Sequence, residues 1–337
     1  MPELPASFQA FIVNKPQGGA FSRGLREFAT ADLPPGEVTV RVEWSSINFK
    51  DGLAAREDGR VARSYPLIPG IDLAGTVVAS EDPAFAVGAA VLANGYDIGV
   101  ARHGGYGELA RLPAGWVVPM PAGMTARDAM AIGTAGFTAA MSVAALENHG
   151  LRAGDGPVLV TGASGGVGSM AIVMLAARGH DVWAATGKAE EHERLARLGA
   201  TGFLTREEVT GPGRPLDAAR WAAAVDTVGA ATLPYVLRTL RIGGAVASSG
   251  NASGADLVTT VFPFILRGVA LLGMDSGNMA ILPRRALWQR LADDLSPRAM
   301  LDDVESLAEV TLDTLEPALD AIHAGRARGR WVVRVTD

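Results

Sequence analysis

Val158-Leu159-Val160-Thr161-Gly162-Ala163-Ser164-Gly165-Gly166-Val167-Gly168 is the stretch on which the fold turns. A β-branched apolar run enters a glycine cluster, and Met170, Ile172, Val173 and Leu175 then continue at helical spacing toward Arg178. This pattern predicts strand, tight turn and helix, the first half of a βαβ unit. Set on G-x-G-x-x-G, the three glycine places hold Ala163, Gly165 and Gly168. Gly165 has no side chain to keep a pyrophosphate off the backbone, and Gly168 lets the helix lie close on the strand. Ser164, Gly165, Gly166 and Val167 bring the unpaired N–H groups and partial positive charge of a helix N-terminus to phosphate oxygens. Ala163 departs from the motif at a place where only a tight turn is needed. A glycine turn alone is weak in a chain with 41 glycines, so the flanking sequence has to carry the assignment.

It does. A second strand is predicted at Asp181-Val182-Trp183-Ala184-Ala185, and a helix over 189–198 closes at Gly199. Phe203-Leu204 makes a third strand, and Ala223-Ala224-Val225-Asp226 a fourth that ends in Thr227-Val228-Gly229. A helix over 230–240, a turn at Gly243-Gly244, a fifth strand over 245–248 and a sixth over 269–274 follow. Strands alternating with helices at this rhythm predict an α/β Rossmann domain, a doubly wound parallel sheet, over about residues 125–280.

An NAD site normally places Asp or Glu about 20 residues past the turn, on the ribose 2′-hydroxyl. Here the second strand ends in Thr186-Gly187-Lys188, with no carboxylate before Glu190. A hydroxyl, a free N–H beside Gly187 and an ammonium suit a 2′-phosphate, and Arg206 after the third strand adds a guanidinium. NADP(H) is therefore the expected cofactor. The competing reading makes Lys188 and Arg206 ordinary solvated cations.

At 337 residues the chain exceeds the size at which single cores stop growing, so two domains are expected. Apolar residues at 48% and charged ones at 20% belong to a globular class. Zero cysteines exclude disulfides, thiolate catalysis and a Cys-ligated zinc. A net charge of −6 gives no reason to expect nucleic acid. The N-terminus Met1-Pro2-Glu3-Leu4-Pro5 lacks the features of a signal peptide, and no segment is expected to reach membrane-spanning length. A cytoplasmic protein fits these features.

Strands are expected over 8–13, 38–44, 73–78, 87–93, 109–112 and 116–118, separated by Pro69-Gly70 and Gly104-Gly105. They predict a partly open β-barrel over residues 1–124. A helix over 126–132 stops at Gly133, and Thr134-Ala135-Gly136-Phe137-Thr138 opens another. Helices over 284–295 and 315–324 and a last strand over 331–335 return the chain to the β domain, which thus takes in 281–337 as well.

With these blocks laid out, the chain resembles the medium-chain dehydrogenase/reductase superfamily over nearly its whole length. The match rests on Ser45-Ser46-Ile47-Asn48-Phe49-Lys50-Asp51, Pro69-Gly70-Ile71-Asp72-Leu73-Ala74-Gly75-Thr76-Val77, Phe85-Ala86-Val87-Gly88, Gly133-Thr134-Ala135-Gly136-Phe137-Thr138-Ala139, the glycine turn and Asp226-Thr227-Val228-Gly229. Zinc alcohol dehydrogenases have Gly-His-Glu where this chain has Gly70-Ile71-Asp72, so the resemblance is to the zinc-free branch of quinone oxidoreductases and enoyl-thioester reductases. Within it, Trp44 to Asp51, Thr186-Gly187-Lys188-Ala189-Glu190-Glu191-His192 and the segment 95–105 resemble the acrylyl-CoA reductases. That resemblance implies a GroES-like catalytic domain, no metal, NADPH-dependent reduction of acrylyl-CoA to propanoyl-CoA, and a homodimer joined through sixth strands.

The resemblance also implies roles. Asn48 would donate to the developing enolate oxygen, and Lys50 would lend positive charge. Phe49 stands where the family usually has Tyr; its ring would still face the nicotinamide, without a phenolic hydroxyl. Asn251, after the fifth strand, falls at the carboxyl ends of the sheet, where ligands sit in such folds. For the proton, Asp51, Tyr96, Tyr106 and water all stand open, with Asp51 better suited to accepting hydrogen bonds in a turn. His103 reads as a loop histidine. Arg284, Arg285, Arg328 and Arg330 are candidates for the phosphates of CoA, Arg328 foremost. Rival readings are a quinone or enone reductase and a non-catalytic NADPH-binding protein.

Overall fold

A mostly apolar run near the start of the chain forms β1 (Ser7–Asn14), paired antiparallel with β2 (Ser22–Ala29). The computed structural model describes residues 4–336. The chain continues through β3 (Val38–Ile47), α1 (Phe49–Ala54), β4 (Asp72–Ser80), β5 (Ala90–Asn94), β6 (Leu109–Leu112), β7 (Val118–Pro119) and α2 (Ala126–Asn148). β8 (Val158–Thr161), α3 (Gly166–Ala177), β9 (Val182–Ala185), α4 (His192–Arg197), β10 (Ala200–Leu204), α5 (Arg206–Thr210), β11 (Trp221–Asp226), α6 (Thr232–Thr239), β12 (Leu240–Ser248), α7 (Phe262–Arg267) and β13 (Ala270–Gly273) follow. α8 (Ile281–Ala292), α9 (Arg298–Leu301), β14 (Leu307–Thr311), α10 (Leu315–His323) and β15 (Arg330–Arg334) complete it.

Two compact units result. One takes the described residues up to Thr134, Gly277–Asp293 and those from Leu307 on; the other takes Ala135–Ser276 and Asp294–Ser306. In the first, a seven-stranded sheet runs β14-β15-β3-β4-β5-β7, with β6 on β3. Its inner face is the apolar cluster of Val38, Val40, Val42, Leu73, Val77, Val91 and Ile98. A second cluster, around Phe8, Phe11, Ile47, Leu315 and Leu319, joins β1 to α10.

In the second unit, six parallel strands lie in the order β10-β9-β8-β11-β12-β13. Counted from β8, that is 3-2-1-4-5-6, and the order reverses at β8 and β11, where such sheets bind ligands beyond their carboxyl ends. All four residues of β8 are buried, as a central parallel strand covered on both faces requires. The predicted doubly wound sheet is therefore present strand for strand.

The differences have local causes. β2 escaped the sequence pattern because only Phe28 of its eight residues is buried, leaving no alternation to see. Val87 lies outside β5 and is exposed, and residues 114–116 form a 3-10 turn rather than strand. Residues 294–306, which follow sequence order into the first unit, pack with the second instead: Asp294 accepts from Arg178, and Glu305 pairs with Arg197. α2 is 23 residues long and apolar enough on average to cross a membrane, so a stretch of membrane-spanning length does exist. It is a core helix interrupted at Gly133 (φ 50°, ψ −162°), with 78% of its most apolar window buried.

Gly168 is held by close approach: a Cβ there would stand 2.4 Å from the Gly162 carbonyl oxygen and 2.8 Å from the Ala163 Cα. Both are backbone atoms, so α3 would have to move off β8. Gly168→Ala is expected to cost about 1–3 kcal/mol in urea unfolding, the usual penalty for overpacking. An unchanged midpoint would contradict the close approach.

Candidate active site

The glycine turn sits at the carboxyl end of β8. The tight turn falls on Gly162 (φ +60°), where a Cβ would meet Thr227 Oγ1 at 2.2 Å. Ala163 at the first motif place is thereby accommodated, because the residue before it does the turning. Gly165 caps α3, and a Cβ on it would have only the Gly162 oxygen within reach, at 3.3 Å, so the space beside it is open. Gly166 and Val167 form the first turn of α3, whose N–H groups lack intrahelical acceptors. Behind the turn, buried Asp226 accepts from Thr161 Oγ1 (2.6 Å) and from the Gly229 N–H (3.0 Å), locking the ends of β8 and β11 together. Burial holds its carboxyl above the ordinary range.

The predicted 2′-phosphate residues come together. Ser164 Oγ and Thr186 Oγ1 lie 3.2 Å apart, and the Lys188 N–H donates to Thr186 Oγ1 at 3.1 Å. The Arg206 guanidinium lies against Gly187, its Nε 3.2 Å from where a Cβ would be. It is placed there by α5, whose N-cap Thr205 forms a capping box with Glu208. Asn251 is exposed in the loop after β12, which is tied to the end of β11 by the Ser253 N–H donating to the Val228 carbonyl (3.0 Å).

The first unit holds a buried polar cluster. Asn48 Nδ2 donates to Asp72 Oδ2 at 2.8 Å and, at 3.2 Å each, to Ser46 Oγ and Asp51 Oδ2. Asn48 Oδ1 accepts from Arg330 Nη1 at 3.1 Å. Asp72 also accepts from Ser46 Oγ, the Thr134 N–H and Thr134 Oγ1 (2.5, 2.9 and 2.5 Å). Gly133 permits this approach: a Cβ there would strike Arg330 Nη2, Asp72 Oδ2 and Ser46 Oγ within 2.8 Å. Asp51 closes a capping box on α1, accepting from the N–H groups of Asn48 and Ile71 (2.9 Å each), the turn role the sequence favoured.

The flanking candidates separate cleanly. Lys50 is exposed, and Phe49 is 48% exposed with its ring stacked on His323 (centroids 6.0 Å apart, 19° between planes). Arg328 is exposed just before β15. Arg330 and Arg284 are not available to phosphates. Arg330 is buried on Asn48 and the carbonyls of Ile47 and Ala131; Arg284 is buried on the carbonyls of Asn94, Gly277 and Met279. Arg285 is half-buried and donates to the Val117 carbonyl. Tyr106 is fully buried, its hydroxyl donates to the Ser46 carbonyl (3.0 Å), and burial raises it well above an ordinary phenol, so it is no proton donor to a ligand. Tyr96 is half-buried at φ 51° and stacks on Trp116. His103 is a loop histidine, accepting from the Ile68 N–H at 3.2 Å.

Asp72 and Arg330 as partners of Asn48 were not foreseen. The signal was present: a carboxylate opening an otherwise apolar strand has to find donors. Among the described residues, no group of three or more His, Asp or Glu stands together that could hold a metal ion.

Family models match two parts of the chain: the alcohol dehydrogenase GroES-like domain over residues 34–122, and the zinc-binding dehydrogenase domain over 166–295. The acrylyl-CoA reductase AcuI of Ruegeria pomeroyi is 46% identical over 97% of this chain and 99% of its own length. The putative quinone oxidoreductase YhfP of Bacillus subtilis is 46% identical over 97% and 99%; its crystal structure with NAD bound matches with a TM-score of 0.94. The yhdH oxidoreductase of Salmonella enterica, crystallised with NADP, is 44% identical over 97% of this chain and all of its own, with a TM-score of 0.93. This chain belongs to the medium-chain dehydrogenase/reductase superfamily, in the branch of these oxidoreductases, and is itself an oxidoreductase.

Burial first, and the nearby charge of Asp72 second, raise the Asp51 carboxyl from 3.8 to about 7. The folded protein thus holds a proton that the unfolded chain releases near pH 3.8, and this group's contribution to stability falls as pH rises from there to about 7. Asp51→Asn is expected to flatten the decline of melting temperature over that interval. Parallel pH profiles for the two proteins would show the titrating group lies elsewhere.

Proposed function

We propose that this enzyme reduces the carbon–carbon double bond of acrylyl-CoA to give propanoyl-CoA, using NADPH. The observation that carries the proposal is full-length similarity, at 46% identity, to a reductase of that name. The cofactor assignment has its own support in this chain. Open backbone at Gly165, the N-terminus of α3 and the Thr186, Gly187, Lys188 and Arg206 group fit a dinucleotide with a 2′-phosphate. Ser164, Gly165, Gly166 and Val167 would hold the pyrophosphate, with Phe49 and Asn251 on the nicotinamide side.

When bound, the reduced cofactor supplies a hydride to Cβ of the enoyl thioester. The protein's task is to bind the thioester and to balance the negative charge that develops on its oxygen. Lys50, exposed at the start of α1, is assigned that charge-balancing role. Asn48 is assigned to orientation: Asp72, Asp51 and Ser46 engage its amide and Arg330 its carbonyl oxygen, which fixes the Asn48-Phe49-Lys50 segment. Arg328 is assigned to a phosphate of CoA. With Tyr106 buried and a phenyl ring at Phe49, the proton to Cα is assigned to water. A homodimer through β13 accompanies this reading. β13 ends the sheet, Leu271 is exposed on it, and Val261, Phe262, Ile265 and Leu266 are exposed just before it.

The second reading, reduction of quinones or free enones, is favoured by the name of the equally similar YhfP. Following NADPH and NADH absorbance with acrylyl-CoA, crotonyl-CoA and a benzoquinone separates the two. Acrylyl-CoA with NADPH is expected to give the highest kcat/KM, and a preference for the quinone would reverse the assignment. Removing both cations, Lys188→Ala with Arg206→Ala, is expected to raise KM for NADPH roughly tenfold or more, at about 1.5–3 kcal/mol per charge-assisted hydrogen bond. KM for NADH should stay nearly unchanged; equal effects on both would show the 2′-phosphate has been misplaced.

A further inference from the structure

A closed circuit of hydrogen bonds joins the glycine turn to the loop after β9. Arg194 Nη2 donates to the Ser164 carbonyl (3.3 Å), and Arg194 Nε donates to Glu191 Oε2 (2.7 Å). The Glu191 N–H donates to the Lys188 carbonyl (3.0 Å), and the Lys188 N–H donates to Thr186 Oγ1 (3.1 Å). Thr186 Oγ1 returns to Ser164 Oγ at 3.2 Å. A third arm, Arg194 Nη1, donates to Ser306 Oγ (3.0 Å), which in turn donates to Asp303 (2.6 Å).

Arg194 and Glu191 are 6% and 1% exposed. Burying an ion pair brings no reliable gain in stability over apolar residues of similar volume, so stability alone is a poor reason for one here. Its geometry supplies another. The peptide joining Ser164 to Gly165 is held at both ends, its carbonyl by Arg194 and its N–H by the Gly162 carbonyl (3.0 Å). That peptide leads into the first turn of α3, and the other side of the circuit is the backbone of Thr186 and Lys188.

We propose that Arg194, balanced by Glu191, is a specificity-positioning residue: it sets the spacing between the pyrophosphate turn and the loop that receives the 2′-phosphate. This rests on the assignment of Thr186, Gly187, Lys188 and Arg206 to that phosphate. A cofactor without the phosphate makes no charged contact with that loop and is less sensitive to the spacing. One with it has to satisfy both places together, so slackening the circuit weakens NADPH more than NADH.

The test is calorimetric titration of the full-length protein with NADPH and with NADH, turnover playing no part. Arg194→Met is expected to raise Kd for NADPH about tenfold and that for NADH less than about threefold, the scale on which misplaced binding groups act. Equal factors for both cofactors, or no change in either, would overturn the proposal. If the lone buried Glu191 charge prevents folding, the double variant Glu191→Gln/Arg194→Met, which buries no charge, decides by the same criterion. Lys188→Ala separates the two levels. A loss confined to NADPH there, with Arg194→Met affecting both cofactors equally, sinks only the circuit's role. Equal losses with Lys188→Ala sink the phosphate assignment and this inference with it.

Discussion

A carboxylate sealed away from water organises the first unit. Asp72 takes hydrogen bonds from Ser46, Asn48 and both the backbone and the hydroxyl of Thr134. Those donors come from the end of β3, the start of α1 and the restart of α2. Leaving such a group unpaired in the interior is costly, so each of the three segments has to arrive where it does. Arg330 adds β15 by holding the carbonyl side of Asn48. The geometry of the Asn48-Phe49-Lys50 segment, where the chemistry is assigned, is thus inherited from a contact in which neither Phe49 nor Lys50 takes part.

The second unit solves a related problem with backbone rather than charge. Gly162 turns the chain in a left-handed conformation, and Gly168 lets α3 lie against that turn. Asp226 ties the neighbouring strand end to the same place through Thr161 and Gly229. Rigid strand ends and an open helix terminus are the two things a phosphate-binding turn requires, since bound anions exploit donors that are already aimed.

The parallel sheet was legible in the sequence because its strands are buried on both faces. β8 and β11 therefore appear as unbroken apolar runs between turn residues. The residues proposed for the 2′-phosphate stand out in the sequence for a chemical reason, the missing carboxylate after Ala185. What stayed hidden depends on contacts distant in sequence. β2 has one buried residue, and its strand character comes from β1 rather than from its own pattern. Arg284 and Arg330 look like any other cations in a row of letters; only carbonyls some 190 to 283 residues away show them to be interior props. Asp72 lies in a segment that resembles the family, yet nothing in that segment points to its donors, which come from Ser46, Asn48 and Thr134 far along the chain or on other elements.

If Phe49 lies beside the nicotinamide as proposed, its phenyl ring, half exposed and backed by the imidazole of His323, bears on stereochemistry. A phenol there would bring its own exchangeable hydrogen to one side of the reacting carbons; a phenyl brings none. On the proposed reduction, the isotope delivered to Cα in heavy water would come from bulk solvent, so the handedness of the labelled product would record only how far surrounding atoms shield one face. Addition at Cβ and at Cα would then be governed by two unrelated features of the protein, and their relative orientation need not be fixed.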